Sequence, residues 1–268
     1  MKLIISIIIS LSVFLQLAQA QQEDEQKLVI PLTTPNNPGT LKLHLVTGSI
    51  NVIGYNGKEV LITVKNNTDK RKTDTQKNGM FRIPNKSYNI TVVEKNNEVD
   101  ISCHAINKPV IFEIMVPQAF SLNLHTVNNG NISVENIKGE IETNNVNGSI
   151  YLSNISGSVV ASSINGAIEV GFETVTPDIP MAFSSLNGKI EVRLPANIKA
   201  SAKISSERGE VYSDFEMEIQ ASKPVVEKKA SGNYKKYTID KWVYANINGG
   251  GPEFLFKNMN GNIYIRKN

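Results

Sequence analysis

The sequence of 268 residues is poor in the residue types that brace a fold covalently or bind metals. It contains one cysteine, Cys103, so no disulfide can form within the chain. It contains three histidines, and no two of them stand at the spacing of a zinc site. The fold must therefore be stabilised by a hydrophobic core and hydrogen bonds, and we expect no metal and no cofactor.

The sequence also lacks the motifs of common enzyme classes. It has no Gly-x-Ser-x-Gly elbow and no Gly-x-x-x-x-Gly-Lys-Ser/Thr phosphate loop. Glu169 and Glu191 are predicted to lie on neighbouring repeats, about 5 Å apart, where a polysaccharide-processing enzyme could use two carboxylates. Lys189 and Arg193 stand beside them, which favours an ion-paired surface instead. We therefore predict no catalytic residue and a protein that is not an enzyme.

Charge of one sign does not dominate, and long apolar runs are absent after residue 17. The formal net charge is +3, which gives no strong field for nucleic acid, so we expect no nucleic-acid partner. The one apolar run, residues 3–17, follows Lys2 and precedes Ala18-Gln19-Ala20, an A-x-A cleavage site. Residues 1–20 are therefore predicted to be a cleaved signal peptide, leaving an exported chain without a stable membrane span.

What the chain does have is glycine at fixed intervals. Five glycines follow one another at nine-residue spacing from Gly130 to Gly166, and an isoleucine or valine stands two residues after each. Neighbouring units alternate in sequence, so the true period is 18 residues, with two short strands and two bends. The spacing then loosens to 22 and 21 residues. The predicted turn glycines are Gly130, Gly139, Gly148, Gly157, Gly166, Gly188, Gly209 and Gly261.

Alternation within each repeat predicts which side chains point inward. One internal column contains Ile132, Ile150, Ile168 and Ile190, and a facing column begins with Ile141 and Val159. The same alternation places Val146 and Ile164 inside. Asparagines recur before the glycines, and those at 147, 165 and 187 either form a hydrogen-bonded ladder or serve as ordinary turn residues.

The organisation of the chain follows from these patterns. After the signal peptide, residues 21–27 are predicted to be a flexible N-terminus, and residues 28–268 a single β-solenoid domain. Its parts are a less regular region (28–126), regular repeats (127–212), a basic insertion or cap (213–245) and a terminal repeat (246–268). Arg266, Lys267 and Asn268 are predicted to protect the open edge of the last strand.

Aromatic and basic side chains cluster in the basic insertion. They form either a hairpin that covers the end of the solenoid or a ligand surface, because aromatic rings with nearby cations can stack on sugars. The predicted ligand surface consists of Tyr234, Lys235, Lys236, Tyr237, Trp242 and Tyr244.

Three features belong to one pattern: residues 48–52, the strand 110–116 that ends in Pro117, and the glycine-x-aliphatic repeats up to Ile265. This pattern resembles a family of exported bacterial proteins, the domain of unknown function 4097 family, whose members are described as candidate adhesins. The resemblance implies an all-β fold: a single-stranded, right-handed, parallel β-helix-like solenoid with coils of about 18–22 residues. It brings no catalytic residue.

The sequence as a whole predicts an exported envelope or cell-surface protein with a structural or adhesin-like role. One alternative is a glycan-binding or polysaccharide-processing β-helix protein. A second is an envelope scaffold that assembles through its exposed coil ends. The expected location is the periplasm, the outer-membrane surface or the extracellular space. The expected partner is a surface glycan or another envelope protein, and the oligomeric state stays open.

Overall fold

The structure is a computed structural model that describes residues 25–66, 76–77, 80–81, 89–104, 109–220, 225–228, 235–238 and 242–268. The described residues form 23 β-strands and contain no helix, which confirms the all-β prediction. The predicted signal peptide lies outside the described residues. The first strand begins at Glu25, inside the segment predicted to be a flexible terminus.

The strands, in chain order, are β1 (Glu25–Pro31), β2 (Gly39–Tyr55), β3 (Glu59–Asn66), β4 (Gln76–Lys77), β5 (Met80–Phe81), β6 (Ile90–Lys95), β7 (Glu98–Cys103), β8 (Val110–Pro117), β9 (Phe120–Asn128), β10 (Ile132–Glu135), β11 (Glu140–Asn145), β12 (Ile150–Asn165), β13 (Ile168–Val175), β14 (Met181–Asn187), β15 (Ile190–Leu194), β16 (Ala200–Ser206), β17 (Val211–Ser213), β18 (Met217–Gln220), β19 (Val225–Lys228), β20 (Lys235–Thr238), β21 (Val243–Ile247), β22 (Glu253–Asn260) and β23 (Ile263–Lys267).

Two parallel ladders make up the body of the fold. Sheet A has the order β8-β2-β10-β12-β13-β15-β23-β17, with β3 and then β1 added antiparallel beside β8. Sheet B has the order β7-β2-β9-β11-β12-β14-β22-β16, with β6 antiparallel beside β7. At its other end, β21 and then β18 continue sheet B as antiparallel strands.

Two long strands, β2 and β12, belong to both sheets. The half of β12 up to Gly157 pairs in sheet A, and the half from Ser158 pairs in sheet B. Strand β2 divides in the opposite order, with residues 39–47 in sheet B and residues 48–55 in sheet A. The pairings β2-β9-β11-β12-β10 and back to β2 therefore form a closed ring of five parallel strands. The chain thus passes from one sheet to the other without leaving the extended conformation.

The strand register has the residue steps that the glycine spacing predicts. Ile132 pairs with Ile150 and Ile150 with Ile168, steps of 18 residues, and Ile168 pairs with Ile190, a step of 22. These four side chains are fully buried. The facing column is also confirmed, since Leu122, Ile141 and Val159 are paired across β9, β11 and β12 and buried. Each buried aliphatic side chain stabilises the fold by about 1.5–3 kcal/mol.

The C-terminal repeat lies inside the stack and not at its end. Strand β23 pairs with β15 on one side and with β17 on the other, and β22 lies between β14 and β16. The prediction that residues 266–268 protect an open edge is therefore wrong. Among the described strands, β17 and β1 are the outermost members of sheet A.

The predicted turn glycines are needed mainly because successive turns stack closely. A Cβ atom at Gly148 would lie 2.0 Å from the carbonyl oxygen of Gly130, and one at Gly166 would lie 2.0 Å from that of Gly148. Positive φ, which glycine tolerates best, occurs at Gly188 (147°) and Gly261 (155°). Gly157 lies within β12, at the point where this strand passes from sheet A to sheet B.

A column of inward polar side chains satisfies the carbonyl groups of these turns. Ser163 Oγ donates to the carbonyl of Gly148 at 3.1 Å, and Ser185 Oγ donates to that of Gly166 at 3.1 Å. Thr126, Asn145, Asn258 and Ser206 donate in the same way to Gly48, Gly130, Gly188 and Gly261. Buried carbonyl groups need such partners, so each repeat has one small polar residue at this position.

The asparagine ladder forms. Asn165 Nδ2 donates to Asn147 Oδ1, and Asn187 Nδ2 donates to Asn165 Oδ1, each at 2.8 Å. The ladder extends by one asparagine at each end, through Asn128 at 2.9 Å and Asn260 at 2.7 Å. Identical amides at one position of every repeat thus bond along the stack.

Candidate functional site

The predicted ligand surface is only partly brought together. Tyr234 lies outside the described residues, and Lys235, Lys236 and Tyr237 belong to β20, which pairs with β19. Trp242 and Tyr244 lie beside β16, where Lys203 Nζ is 5.0 Å from the centroid of the Trp242 ring and 5.9 Å from that of Tyr244. The sequence interpretation missed Lys203, whose position between buried Ala202 and Ile204 marks it as outward.

A second aromatic pair lies on the outer face of sheet A. The rings of Tyr212 on β17 and Tyr264 on β23 stack with centroids 5.2 Å apart and an interplanar angle of 11°. Arg266 Cζ lies 5.4 Å from the centroid of Tyr264, and Asn262 Nδ2 donates to the Tyr264 hydroxyl at 3.0 Å. Tyr212 is exposed on the outermost described strand of the sheet, so its ring is accessible to a planar partner.

The two glutamates singled out in the sequence lie next to this pair. Glu169 and Glu191 are register partners on β13 and β15. Lys189 Nζ bridges them, at 2.9 Å from Glu169 Oε1 and 3.0 Å from Glu191 Oε2. Arg266 Nε lies 3.1 Å from Glu191 Oε1, and Arg193 also forms an ion pair with Glu191. The prediction that basic residues pair with these carboxylates is confirmed.

The protonation behaviour of Glu191 follows from this cluster. Burial raises the pKa of Glu191, but the hydrogen bond from Lys189 and the charges of Arg193, Lys189 and Arg266 outweigh burial, and the net pKa is lowered. Hydrogen bonds to Glu169 and then to Glu191 raise the pKa of Lys189. Both groups are therefore charged at neutral pH, and an ionised carboxylate held by three cations is poorly suited to act as a general acid.

An open groove of about 590 Å³ lies at the other end of the outer face of sheet A. Its floor includes Leu61, Met115 and Ile53, which are register partners on β3, β8 and β2. Glu113 and Glu135 also line it, and Glu113 is paired with Lys65 at 2.9 Å. The groove can accommodate an apolar group, and its volume lies within the range of small-molecule sites.

The outer face of sheet B has a histidine pair. His44 on β2 and His125 on β9 are register partners, with ring centroids 5.7 Å apart. Burial and then the charge of His44 lower the pKa of His125.

Among the residues that the structure describes, no three His, Cys, Asp or Glu side chains come together as a metal site. Within the same ranges, no helix is long and apolar enough to span a membrane.

Comparison with known proteins adds little to this geometry. No family model matches the chain, and no curated protein matches its sequence. The resemblance to the domain of unknown function 4097 family therefore stays a prediction. Among solved structures, a "putative cell adhesion protein" from Clostridium sporogenes aligns with 92% of this chain and 100% of that chain, at 11% identity and a TM-score of 0.45. A likeness this distant carries no argument about function.

Proposed function

We propose that this chain is an exported envelope or cell-surface protein with a structural, adhesin-like role and no catalytic activity, built on a right-handed β-helix-like solenoid. The observation that carries the proposal is the continuity of the stack. Core columns, turn carbonyls and surface amides each bond or pack with the same position of the next repeat. Such a framework suits a stable surface that presents side chains at fixed spacing.

The electrostatics of the outer faces support a role without catalysis. Glu169 and Glu191 are the two carboxylates that the sequence predicts to stand close enough for a polysaccharide-processing enzyme to use. Lys189 bridges them, so they form an ion-paired cluster. We expect no turnover of polysaccharide substrates by the purified protein. Turnover that disappears in Glu191→Gln but persists in Glu140→Gln, a change at an exposed glutamate of sheet B, would contradict the proposal.

Export can be tested separately from function. The segment 1–20 predicts a mature N-terminus at Gln21. We expect mass spectrometry of the protein from its native cells to find this terminus, and fractionation to place the protein in the periplasm, on the cell surface or in the medium. Recovery of uncleaved protein in the cytosol would contradict the export part of the proposal.

Glycan binding is the second candidate function, and the stacked Tyr212–Tyr264 pair favours it. An exposed ring beside an amide, a carboxylate and guanidinium groups offers both stacking and hydrogen bonding to a sugar. The charges of Lys189, Arg193 and Arg266 are largely paired with carboxylates, so a neutral glycan fits better than an acidic one.

A glycan array followed by calorimetry tests this candidate. We expect Tyr212→Ala to abolish binding to any glycan that the array identifies, while Tyr151→Ala, at another exposed tyrosine of sheet A, retains it. Trp242→Ala tests the surface predicted from the sequence in the same assay. Loss of affinity in Trp242→Ala alone would move the site to the cluster around Lys203.

A further inference from the structure

A column of aliphatic side chains runs along the outside of sheet B and is used by none of the features described above. Each member is the residue directly before an asparagine of the ladder or, in β2, directly before Thr47, and the members occupy the same position in six consecutive repeats. The register of Ser185 and Asn187, on either side of Leu186, places Leu186 beside Ile164 and beside Met259. We call this surface the apolar column; it consists of Val46, Val127, Val146, Ile164, Leu186 and Met259.

The members of the apolar column point outward. Val46, Ile164, Leu186 and Met259 are 41%, 42%, 38% and 39% exposed, and Val127 and Val146 are half-buried. The prediction that Val146 and Ile164 point inward is therefore wrong. The inward position beside them belongs to the small polar side chains that bond the turn carbonyls, such as Ser163 and Ser185.

Neither the core nor the turns explain the apolar column. An outward position in a strand tolerates polar residues, and the neighbouring outward row is polar, with His44, His125, Asn144, Ser162, Ser184 and Lys257. Six consecutive repeats nevertheless have an aliphatic residue or methionine in the column, which ends at Glu207 of the β16 repeat, beside Met259. A contiguous apolar strip of this kind is unfavourable in water unless it is covered, and such strips commonly mark interaction sites.

We propose that the apolar column is the interface through which two copies of this chain associate side by side. Strand spacing places its side chains about 4.8 Å apart, so the column is about 24 Å long. A second copy presents the same spacing, and two such columns can interdigitate along their whole length around a two-fold axis.

The surroundings of the column favour a second copy over a charged partner or an anionic membrane. On one side lies the uncharged asparagine ladder, and on the other lies the polar row, in which Lys257 is the one formally charged residue when the histidines are neutral. Two copies therefore meet without strong like-charge repulsion, and no basic cluster selects anionic lipid. The interface goes beyond the proposed scaffold role, because a strictly monomeric protein could still serve that role.

The test is the mass of the full mature chain in solution, measured by light scattering and analytical ultracentrifugation over a wide concentration range. We expect the wild-type mass to rise from one copy to two with concentration. The double variant Ile164→Lys, Leu186→Lys should keep the mass of one copy throughout. The matched control Val160→Lys, Ile219→Lys adds the same charge at exposed aliphatic positions outside the column and should associate like the wild type.

Cross-linking gives a second readout that does not depend on added charge. In a Cys103→Ser background, Ile164→Cys lies near the centre of the column and should form a disulfide-linked dimer on oxidation, whereas Val160→Cys should not. Circular dichroism and the urea midpoint verify that each variant folds.

The proposal would be overturned by a wild-type protein that keeps the mass of one copy at its highest soluble concentration, by a column variant that still doubles in mass, or by a control variant that loses association as fully as the column variant. A monomer that instead binds phosphatidylcholine vesicles through these residues would also overturn it, in favour of a lipid surface. None of these results would bear on the catalytic or glycan-binding tests above.

Discussion

At the scale of single residues, the fold depends on places where two turns touch. The glycines of successive repeats approach so closely that a methyl group has no room. At the same corner, a serine, threonine or asparagine must supply a hydrogen bond to the glycine carbonyl. The glycine and the small polar residue therefore act together, and either loss leaves a strained or unsatisfied backbone group.

Gly148→Ala tests the close approach. The new Cβ would lie 2.0 Å from the carbonyl oxygen of Gly130, so the two turns must separate. We expect a loss of about 1–3 kcal/mol or more in the free energy of unfolding, measured by urea denaturation. Gly171→Ala is the matched control, because its Cβ would meet nothing nearer than the carbonyl oxygen of Leu152 at 3.9 Å. Equal stability of the two variants would refute the explanation.

Asn165→Asp tests the asparagine ladder. The substitution removes the donor to Asn147 Oδ1 and sets a carboxylate oxygen against it. We expect a loss of about 1 kcal/mol at neutral pH. The loss should shrink as pH falls below the carboxyl pKa, because the protonated acid can donate again. Asn128→Asp carries the same charge change at a position that supplies only its Oδ1 to the ladder, and should have a smaller effect in the same denaturation series.

Glu191→Gln tests the ion-paired cluster on the outer face of sheet A. The pKa of Glu191 is lowered in the folded protein, so its charge contributes stability above the unfolded pKa of about 4.3, and this is lost as pH falls through the lower folded value. We expect the variant to be less stable at neutral pH and to show a flatter acid limb in its stability profile. Glu140→Gln, at an exposed carboxyl of sheet B, is the control for the loss of one negative charge, and a Glu191→Gln slope equal to the wild type would count against the cluster.

At the scale of strands, the sequence predicts well wherever the two-residue alternation runs uninterrupted. The isoleucine column, its facing column and the asparagine ladder all follow from alternation and from the repeated Asn-Gly pair. The error at Val146 and Ile164 arose at the corner. There, residues 146–149 turn the chain from sheet B to sheet A, so the alternation of Ile150 does not continue that of Val146. The number of residues in a bend depends on how the two sheets pack, and this number cannot be read from the spacing of the glycines.

The candidate binding surface shows the same limit. Aromatic residues that cluster in the sequence were predicted to form one site, and Trp242 and Tyr244 do share Lys203. The pair Tyr212 and Tyr264 comes from distant parts of the chain and meets only because β17 pairs with β23. A pair of this kind becomes predictable only once the order of strands is known.

At the scale of the whole molecule, the order of the repeats departs from the order of the chain. The pair β22–β23 lies between β14–β15 and β16–β17, although the chain reaches it last. Every repeat presents similar buried aliphatic side chains to its neighbours, so local pattern does not determine which repeat lies beside which. The final order depends on contacts between residues more than 50 positions apart, such as Ser206 Oγ with the carbonyl of Gly261 at 3.1 Å.

This order predicts how the molecule responds to truncation. In a simple stack, removing the last repeat of the chain removes one interface and exposes one surface. Here, a chain that ends at Gly251 lacks β22 and β23. Strands β15 and β17 then lose β23, the strand that pairs with both of them. We expect such a protein to lose its cooperative urea transition.

A chain that begins at Leu32 lacks β1, which pairs with β3 alone among the described strands, and should unfold cooperatively at a modestly lower midpoint. The two truncations remove 17 and 7 described residues. A third chain, ending at Lys257, also lacks β23 but keeps the first half of β22. It therefore serves as the control that separates the effect of length from that of position. If the chain ending at Gly251 unfolds as cooperatively as the one that begins at Leu32, the C-terminal repeat does not hold the stack together.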